Sequence, residues 1–264
     1  MTSKKLKFFR YETDSRGITV VTFDRPPVNA VSFEVYPDLR DLCEQIESTD
    51  DTRVVVLTSP PNARAWCGGA DVRDFLPLDH ASRMARYAMI NECLPRFYNL
   101  NRPVIGALNS HAVGVGLVLA AFCDMRVASR DAFFACPEID RGVLAGGGSF
   151  FTRLNMPSGR IREMIYTGRR FMAEELQENT GFFNYIVPKD QVMPKAMELA
   201  ASIASKSLAA LKANKLCNNA SETMNWIEAY KLSQAKSADL TITKDAKEGI
   251  RAFLEKRKPK YSDQ

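Results

Sequence analysis

Two short glycine turns in the sequence could present backbone N–H groups to a ligand. The stretch AWCGGAD (65–71) places two glycines before an expected helix start, and HAVGVGL (111–117) has Gly114 and Gly116 between a strand and a helix. The first N–H groups of a helix have no partner inside it, so they can bind an anion or a polarised carbonyl. Each turn alone is more often an ordinary loop. Two turns that follow buried strands can face each other, and two N–H groups aimed at one oxygen form an oxyanion hole.

The N–H of Val115 is the group that the second turn would leave free. A candidate acid about twenty residues further on is Glu138, which follows an apolar strand and a proline in ACPEIDRG (135–142). Asp140 is a possible second acid. The competing interpretation is that both are surface residues that pair with Arg141, and the local sequence by itself favours it.

Several other chemistries lack their sequence signature. The two histidines, His80 and His111, have no metal-ligand spacing, and we expect no metal site. Leu119 stands where a dinucleotide fingerprint needs its third glycine. The sequence has no G-x-S-x-G motif and no close Cys/His pair that would indicate a nucleophile.

The composition is that of an ordinary globular protein. The chain has 264 residues, of which 45% are hydrophobic and 25% charged. No apolar run approaches the ~20 residues of a membrane span, so we expect no membrane partner. The six cysteines form no C-x-x-C pair, and the N-terminal segment has no apolar core, which predicts a cytoplasmic protein. The net charge is +5, with basic residues concentrated near the C-terminus, but no interleaved aromatics support nucleic-acid binding.

Strand–loop–helix units recur along the first part of the chain and predict an α/β fold. TRVVVLTS and RPVIGALNS are short apolar strands of the kind that is buried on both faces. Beyond about residue 155 the pattern becomes helical, with one long helical stretch over 190–217. We therefore predict an α/β core in residues 1–200 and a helical C-terminal part in residues 201–264.

These segments together resemble the crotonase superfamily, the enoyl-CoA hydratase/isomerase family. The similarity covers almost the whole chain, in the segments 24–32, 65–75, 102–129, 133–148, 166–175 and 252–261. It implies a spiral of ββα units whose C-terminal helices lie at a trimer interface. It also implies a homotrimer or hexamer and an acyl-CoA thioester as substrate, so that CoA is part of the substrate and not a separate cofactor.

The resemblance also assigns roles to particular residues. It places the oxyanion-hole amides at Ala70 and Val115 and the acid/base at Glu138. The CoA moiety would pass the turn at 28–30 and the loop at 65–72, with the C-terminal lysines and arginines near its phosphates. The predicted substrate- and CoA-binding residues are Val28, Ala30, Ala65, Gly69, Ala70, Asp71, Val72, Gly114, Pro137 and Gly142.

The chain departs from the family pattern at Val118. Hydratases of this family commonly carry two glutamates, of which the second matches Glu138 and the first matches Val118. A valine cannot carry a proton, and hydration needs a group that activates water as well as a proton source, so we predict low hydratase activity. Gly146 stands where some dienoyl isomerases have an acid, which argues against that variant.

Three hypotheses follow. The first is a lyase or isomerase that acts on an acyl-CoA through Glu138. The second is a hydrolase of a C–C or thioester bond, in which Glu138 or Asp140 directs water. The third is an acyl-CoA binder with weak or no catalysis.

Overall fold

Short apolar segments form the main sheet of the protein. The computed structural model describes residues 5–77, 79–147 and 156–262. The sheet has six strands in the spatial order β1 (Phe9–Thr13), β2 (Ile18–Phe23), β3 (Val54–Thr58), β4 (Val104–Leu108), β6 (Met125–Ser129) and β9 (Tyr185–Val187). The first pair is antiparallel and the other pairs are parallel. β3 and β4 are buried at every residue, as expected for central strands covered on both faces.

A second, smaller sheet brings the two candidate chemical segments together. It consists of β5 (Ala112–Val113), β7 (Phe133–Ala135) and β8 (Phe171–Met172). β5 is parallel to β7, with Val113 opposite Ala135. The residues that follow these two strands are the G-V-G turn and the segment with Glu138, so the pairing places them side by side.

Helices cover the main sheet and extend beyond it. In the described residues the α-helices are α1 (Val35–Glu47), α2 (His80–Tyr98), α3 (Val115–Phe122), α4 (Ser158–Thr167), α5 (Ala173–Thr180), α6 (Val192–Ala204), α7 (Leu208–Ser221), α8 (Trp226–Thr241) and α9 (Lys244–Leu254). Short 3-10 helices cover Val72–Asp74, Pro137–Arg141 and Lys189–Gln191.

Two apolar cores lie on the two faces of the main sheet. One face packs against α6, where Val192, Ala196 and Ala200 meet side chains such as Val56 and Ile105. The other face carries the larger core, to which α1, α2 and α3 contribute. The α/β fold class predicted from the sequence is confirmed. The proposed division near residue 200 falls within α6, and as a domain boundary it stays a prediction.

The long helical stretch expected over 190–217 is interrupted, which corrects the sequence interpretation. α6 ends at Ala204 and α7 begins at Leu208. The guanidinium of Arg53, at the start of β3, donates to the carbonyl oxygens of Ala204 and Lys206. These carbonyls have no partner inside a helix that ends there, so a distant cation supplies their hydrogen bonds. This contact between residues far apart in the chain accompanies the interruption, and it cannot be read from the local sequence.

Three further findings concern the chain as a whole. Of the described helices, none has both the length and the apolar character to cross a membrane. All six cysteines are free thiols, and five of them are buried. Over the described ranges, no three His, Cys, Asp or Glu residues are grouped so as to hold a metal ion. The segment 137–154 predicts a glycine-rich loop that leads into a helix, and its residues after Gly147 lie outside the described part of the chain.

Candidate active site

The loop 65–71 is held in place by a buried asparagine. Asn29 adopts a left-handed backbone conformation (φ 52°) and is almost completely buried. Its side-chain amide donates to the carbonyls of Ala65 and Trp66 at 3.0 and 3.3 Å, and its oxygen accepts from the N–H of Arg25. Asparagine tolerates this conformation better than most residues. The turn before α1 and the glycine loop therefore form one connected unit.

The bonds of Gly69 and Asp71 define the direction of the Ala70 N–H. Val31 donates its N–H to Gly69 O at 2.7 Å, and Asp71 donates its N–H to Val31 O at 2.9 Å. In extended backbone the peptide groups of successive residues point to opposite sides. The N–H of Ala70 consequently points away from Val31. The G-V-G turn adjoins the same loop, since a Cβ on Gly69 would lie 2.8 Å from Val113 O.

The G-V-G turn leaves the N–H of Val115 at the start of α3. Gly114 precedes the helix with φ 53° and ψ −123°, a conformation that favours glycine. Its own N–H donates to Ala135 O at 2.8 Å, while Leu117 and Val118 donate back to Gly114 O. Val115 is the first residue of α3, and its N–H has no intrahelical acceptor. Ala70 and Val115 thus both supply backbone donors at adjoining turns.

Glu138 lies directly against this turn. A Cβ built on Gly114 would come 2.5 Å from Glu138 Oε1, so only a glycine leaves room for the carboxylate. Glu138 Oε2 is buried and has no hydrogen-bond partner in the described residues. Burial raises the pKa of Glu138, while its own backbone N–H and the charge of Arg141 act in the opposite direction. A carboxyl group with a raised pKa next to a helix start is suited to proton transfer.

These groups line one cavity of about 300 Å³. Ala70, Gly114, Val115 and Glu138 are all in its wall. Val118 also lines the cavity, one turn after Val115, and its side chain packs against the backbone of Gly147. Val118 thus presents an apolar side chain to the same cavity.

The other residues predicted to bind substrate or CoA do not line this cavity. They are Val28, Ala30, Ala65, Gly69, Asp71, Val72, Pro137 and Gly142. Most lie in the hydrogen-bonded loops beside it: Gly68, for example, donates to Val28 O at 2.8 Å. Asp71 is buried and bound by two guanidinium groups, with Arg73 and then Arg25 holding its pKa well below the usual range. Asp71 thus joins the two loops.

Asp140 and His111 have surroundings that differ from those of Glu138. The carboxylate of Asp140 is exposed and lies against Gly168, at the end of α4, and Asp140 does not line the cavity. No ion pair joins it to Arg141 in the described structure, and the Arg141 guanidinium instead donates to Pro137 O at 3.0 Å. His111 Nδ1 accepts from the N–H of Phe133, and burial lowers the pKa of the ring. The imidazole supports the local backbone.

Sequence analysis did not identify the polar side chains at the other part of the cavity. Tyr36 of α1 and three residues of α2, Arg83, Arg86 and Asn91, lie in its wall. Arg83 and Arg86 are three residues apart and therefore share a helix face. In the sequence, the pair of arginines on one face of α2 was the feature that could have indicated a polar part of the cavity. Their relation to Tyr36 depends on tertiary structure.

The fold and the site define an α/β protein with one cavity. Two turns contribute backbone donors to the cavity wall, and Glu138 contributes a buried carboxylate oxygen. The sequence model of the enoyl-CoA hydratase/isomerase family matches residues 13–264. The chain belongs to the enoyl-CoA hydratase/isomerase family, as the sequence motifs predicted.

Individual relatives are similar over nearly their full length. YngF of Bacillus subtilis strain 168, provisionally named an enoyl-CoA hydratase/isomerase, is 33% identical, with 95% of this chain and 96% of that protein covered. A (7aS)-7a-methyl-1,5-dioxo-2,3,5,6,7,7a-hexahydro-1H-indene-carboxyl-CoA hydrolase of Rhodococcus jostii RHA1 is 30% identical, with coverage of 94% and 95%. The crystal structure of an enoyl-CoA hydratase from Bacillus anthracis has a TM-score of 0.90 at 28% identity, with coverage of 98% and 100%.

Proposed function

We propose that the protein is an acyl-CoA-processing enzyme that stabilises a thioester enolate and uses Glu138 as its acid/base. The observation that carries this proposal is the buried, unpartnered Oε2 of Glu138 in the wall of the cavity that Ala70 and Val115 also line. The N–H groups of Ala70 and Val115 would bind the thioester oxygen. Each such donor contributes about 3 kcal/mol when negative charge develops on the oxygen.

The proposed chemistry is a proton transfer through a single carboxylate. Glu138 removes a proton from a carbon activated by the thioester, and the electron pair moves to the carbonyl oxygen, which the two N–H groups hold. The same carboxyl then returns the proton to a different carbon, which completes an isomerisation. In a lyase reaction, the enolate instead expels a group from the β-carbon, and that group takes the proton. Because the pKa of Glu138 is raised towards neutral pH, its carboxyl group can both remove and return a proton efficiently.

Val118 favours these reactions over hydration of a double bond. Its side chain has no proton to exchange and occupies the cavity wall against Gly147. Water at this position would have only one carboxylate, Glu138, to orient and deprotonate it. We expect slow turnover of crotonyl-CoA for that reason.

Hydrolysis of a C–C or thioester bond is the second candidate. It is supported by the Rhodococcus relative, whose name describes a CoA-ester hydrolase. The same two N–H groups would stabilise the oxyanion that forms when water attacks a carbonyl, and Glu138 would accept the proton of that water. Neither candidate reaction requires a cofactor besides the CoA of the substrate.

The proposal also includes the CoA path, the assembly and the compartment. The loops at 28–30 and 65–72 adjoin the cavity and would hold CoA, with exposed C-terminal lysines such as Lys258 and Lys260 near its phosphates. Arg257 is already bound to Glu248 and Glu255. We expect a homotrimer or hexamer. The six free thiols support a reducing, cytoplasmic location.

A panel of CoA thioesters tests the proposal. Calorimetry measures binding, and chromatography of the products distinguishes a double-bond shift, an elimination, hydration or hydrolysis. The proposal expects binding of an enolisable thioester such as acetoacetyl-CoA and turnover of at least one member of the panel. Absence of binding at millimolar concentration contradicts the acyl-CoA assignment, and binding without any turnover leaves a carrier or structural role.

Two isosteric variants assign the acid/base. Glu138→Gln keeps the shape but cannot exchange a proton, so kcat is expected to fall by roughly 10²–10⁴-fold. The Kd of the thioester is expected to change little, because the backbone N–H groups hold the carbonyl. Asp140→Asn is the matched control and is expected to retain the wild-type rate. Full activity of Glu138→Gln, or the opposite pattern in the pair, contradicts the assignment.

A further inference from the structure

Arg86 is a buried cation in the cavity wall with an unused hydrogen-bond donor. Only 3% of the residue is exposed. Its Nη1 donates to Asp74 Oδ2 at 3.2 Å, whereas its Nη2 is buried and has no partner in the described residues. A buried guanidinium that leaves a donor unpaired carries a desolvation cost, which a bound acceptor would relieve.

The surroundings of Arg86 supply an excess of positive charge and a second hydrogen-bonding group. Arg83 lies one turn earlier in the same cavity wall, and both guanidinium groups stack on the ring of Phe75. Asp74 is the acid that pairs with Arg86, and Arg83 has no ion pair within the described ranges. Two cations therefore face one carboxylate. The hydroxyl oxygen of Tyr36 accepts a hydrogen bond from the Arg86 guanidinium. Burial raises the pKa of Tyr36 to about 12, so its hydroxyl stays protonated and can itself donate.

This group of residues is separate from the proposed reacting centre. Arg141 is the cation named among the influences on the pKa of Glu138, which burial raises overall. Arg83 and Arg86 belong to α2, whereas Val115 begins α3 and Glu138 lies in the 3-10 helix that follows β7. The guanidinium groups and the carboxylate are thus contributed to the cavity lining by different elements.

We infer that the acyl group of the substrate carries a carboxylate at its end remote from the thioester, and that this carboxylate accepts a hydrogen bond from Arg86 Nη2. The inference rests on the proposed function, since it places the thioester at Ala70 and Val115. A carboxylate fits better than an alkyl end, because an alkyl end would leave the Nη2 donor and the excess positive charge uncompensated. The substrate class is thus a monothioester of a dicarboxylic acid.

Matched pairs of saturated CoA thioesters test this inference in the wild-type protein. Glutaryl-CoA is compared with pentanoyl-CoA, and adipyl-CoA with hexanoyl-CoA, by isothermal titration calorimetry. Within each pair the CoA part and the chain length are the same, so the difference reports on the terminal group. We expect at least one carboxylated member to bind about tenfold more tightly or better than its neutral partner, the effect of one charge-assisted hydrogen bond.

Substitutions in α2 assign the preference to Arg86. Arg86→Met is expected to abolish it. Arg86→Lys keeps a cation for Asp74 but loses the forked donor, and it is expected to reduce the preference several-fold, which covers the case that Arg86→Met does not fold. Arg96→Met is the matched control: Arg96 lies on the same helix, pairs with Glu47 and does not line the cavity. It is expected to leave the preference unchanged.

The outcomes separate the two proposals. Equal binding of neutral and carboxylated thioesters overturns the inference and leaves the proposed function intact. A preference that survives in both Arg86 variants also overturns it. If no thioester of either series binds, the proposed acyl-CoA function itself is wrong.

Discussion

Glu138 combines two properties that oppose each other in a folded protein. It is packed against Gly114 with an oxygen that has no partner, which suits proton transfer. The same burial disfavours the charged form and raises the pKa of the carboxyl group. The ionised form, which a general base requires, is therefore the form that the fold stabilises least. Functional sites often retain such costs because the chemistry depends on them.

This opposition gives a pH-dependent prediction for stability. Between the ordinary pKa of a glutamate and the raised one, the folded protein keeps a proton that the unfolded chain has lost. The contribution of Glu138 to stability is therefore complete below the ordinary pKa and declines as pH rises through the raised pKa. Glu138→Gln removes the titration, so its melting temperature is expected to exceed that of wild type by a few degrees at pH 7–8.

Thermal unfolding from pH 4 to pH 8 measures this effect. The difference between Glu138→Gln and wild type is expected to shrink towards the acidic end of the range. Asp140→Asn, at an exposed carboxylate, is expected to show no comparable gain. A Glu138→Gln protein that is less stable than wild type at pH 8 would show that Glu138 forms a favourable interaction in its charged form.

At the scale of single residues, sequence analysis found the groups whose role depends on local backbone. Gly114 and Val115 were predicted from a strand-to-helix turn. Glu138 was assigned through the family resemblance, since its local sequence alone favoured a surface residue. Asn29 and Arg86 were not found, because their roles depend on partners far along the chain. Arg86 combines contacts with Asp74 and with Tyr36, which comes from another helix.

At the scale of elements, one buried lysine attaches α7 to the main sheet. Lys215 is 5% exposed and donates to Asp124 Oδ2 at 2.8 Å and to Arg102 O at 3.0 Å. The same oxygen of Asp124 accepts from the N–H of Val104, the first residue of β4. Lysine is rarely buried without a partner. This contact fixes α7 against the strand that leads to the G-V-G turn.

Breaking this pair is expected to destabilise the fold. Lys215→Met keeps a side chain of similar length but leaves the Arg102 carbonyl and Asp124 without their cation. We expect the free energy of unfolding to fall by about 2–4 kcal/mol. Lys236→Met is the matched control, since Lys236 forms an exposed pair with Asp239 at 2.9 Å. That change is expected to cost less than ~1 kcal/mol. Urea denaturation of both variants measures the difference, and equal midpoints would contradict the structural role of Lys215.

The elements themselves were predictable where their pattern is local. The all-apolar strands β3 and β4 and the amphipathic α1 follow from composition and periodicity. The break between α6 and α7 was missed, because the Arg53 side chain that binds the carbonyls at that point lies about 150 residues earlier. The apolar pattern continues across this point, so it did not separate the two helices.

At the scale of the whole molecule, the C-terminal helices carry apolar side chains that the described core does not use. Trp226 and Tyr230 of α8 are 76% and 60% exposed, and Phe253 and Leu254 of α9 are 82% and 74% exposed. Scattered apolar side chains are normal on a surface, but several large ones on two neighbouring helices indicate an interaction surface. The family resemblance implied such a surface at a trimer interface. The structure of a single chain shows the surface but not the copies that would cover it.

We expect this surface to hold copies of the chain together as a trimer or a pair of trimers. Size-exclusion chromatography with light scattering should give three or six times the mass of the chain at micromolar concentration. Phe253→Glu places a charge in the apolar surface and is expected to shift the protein towards smaller species, since burying an unpaired carboxylate is unfavourable. Leu76→Glu is the control, because Leu76 is 91% exposed but lies outside these helices. A wild-type protein that is monomeric at this concentration, or equal effects of the two substitutions, would show that α8 and α9 do not form the interface.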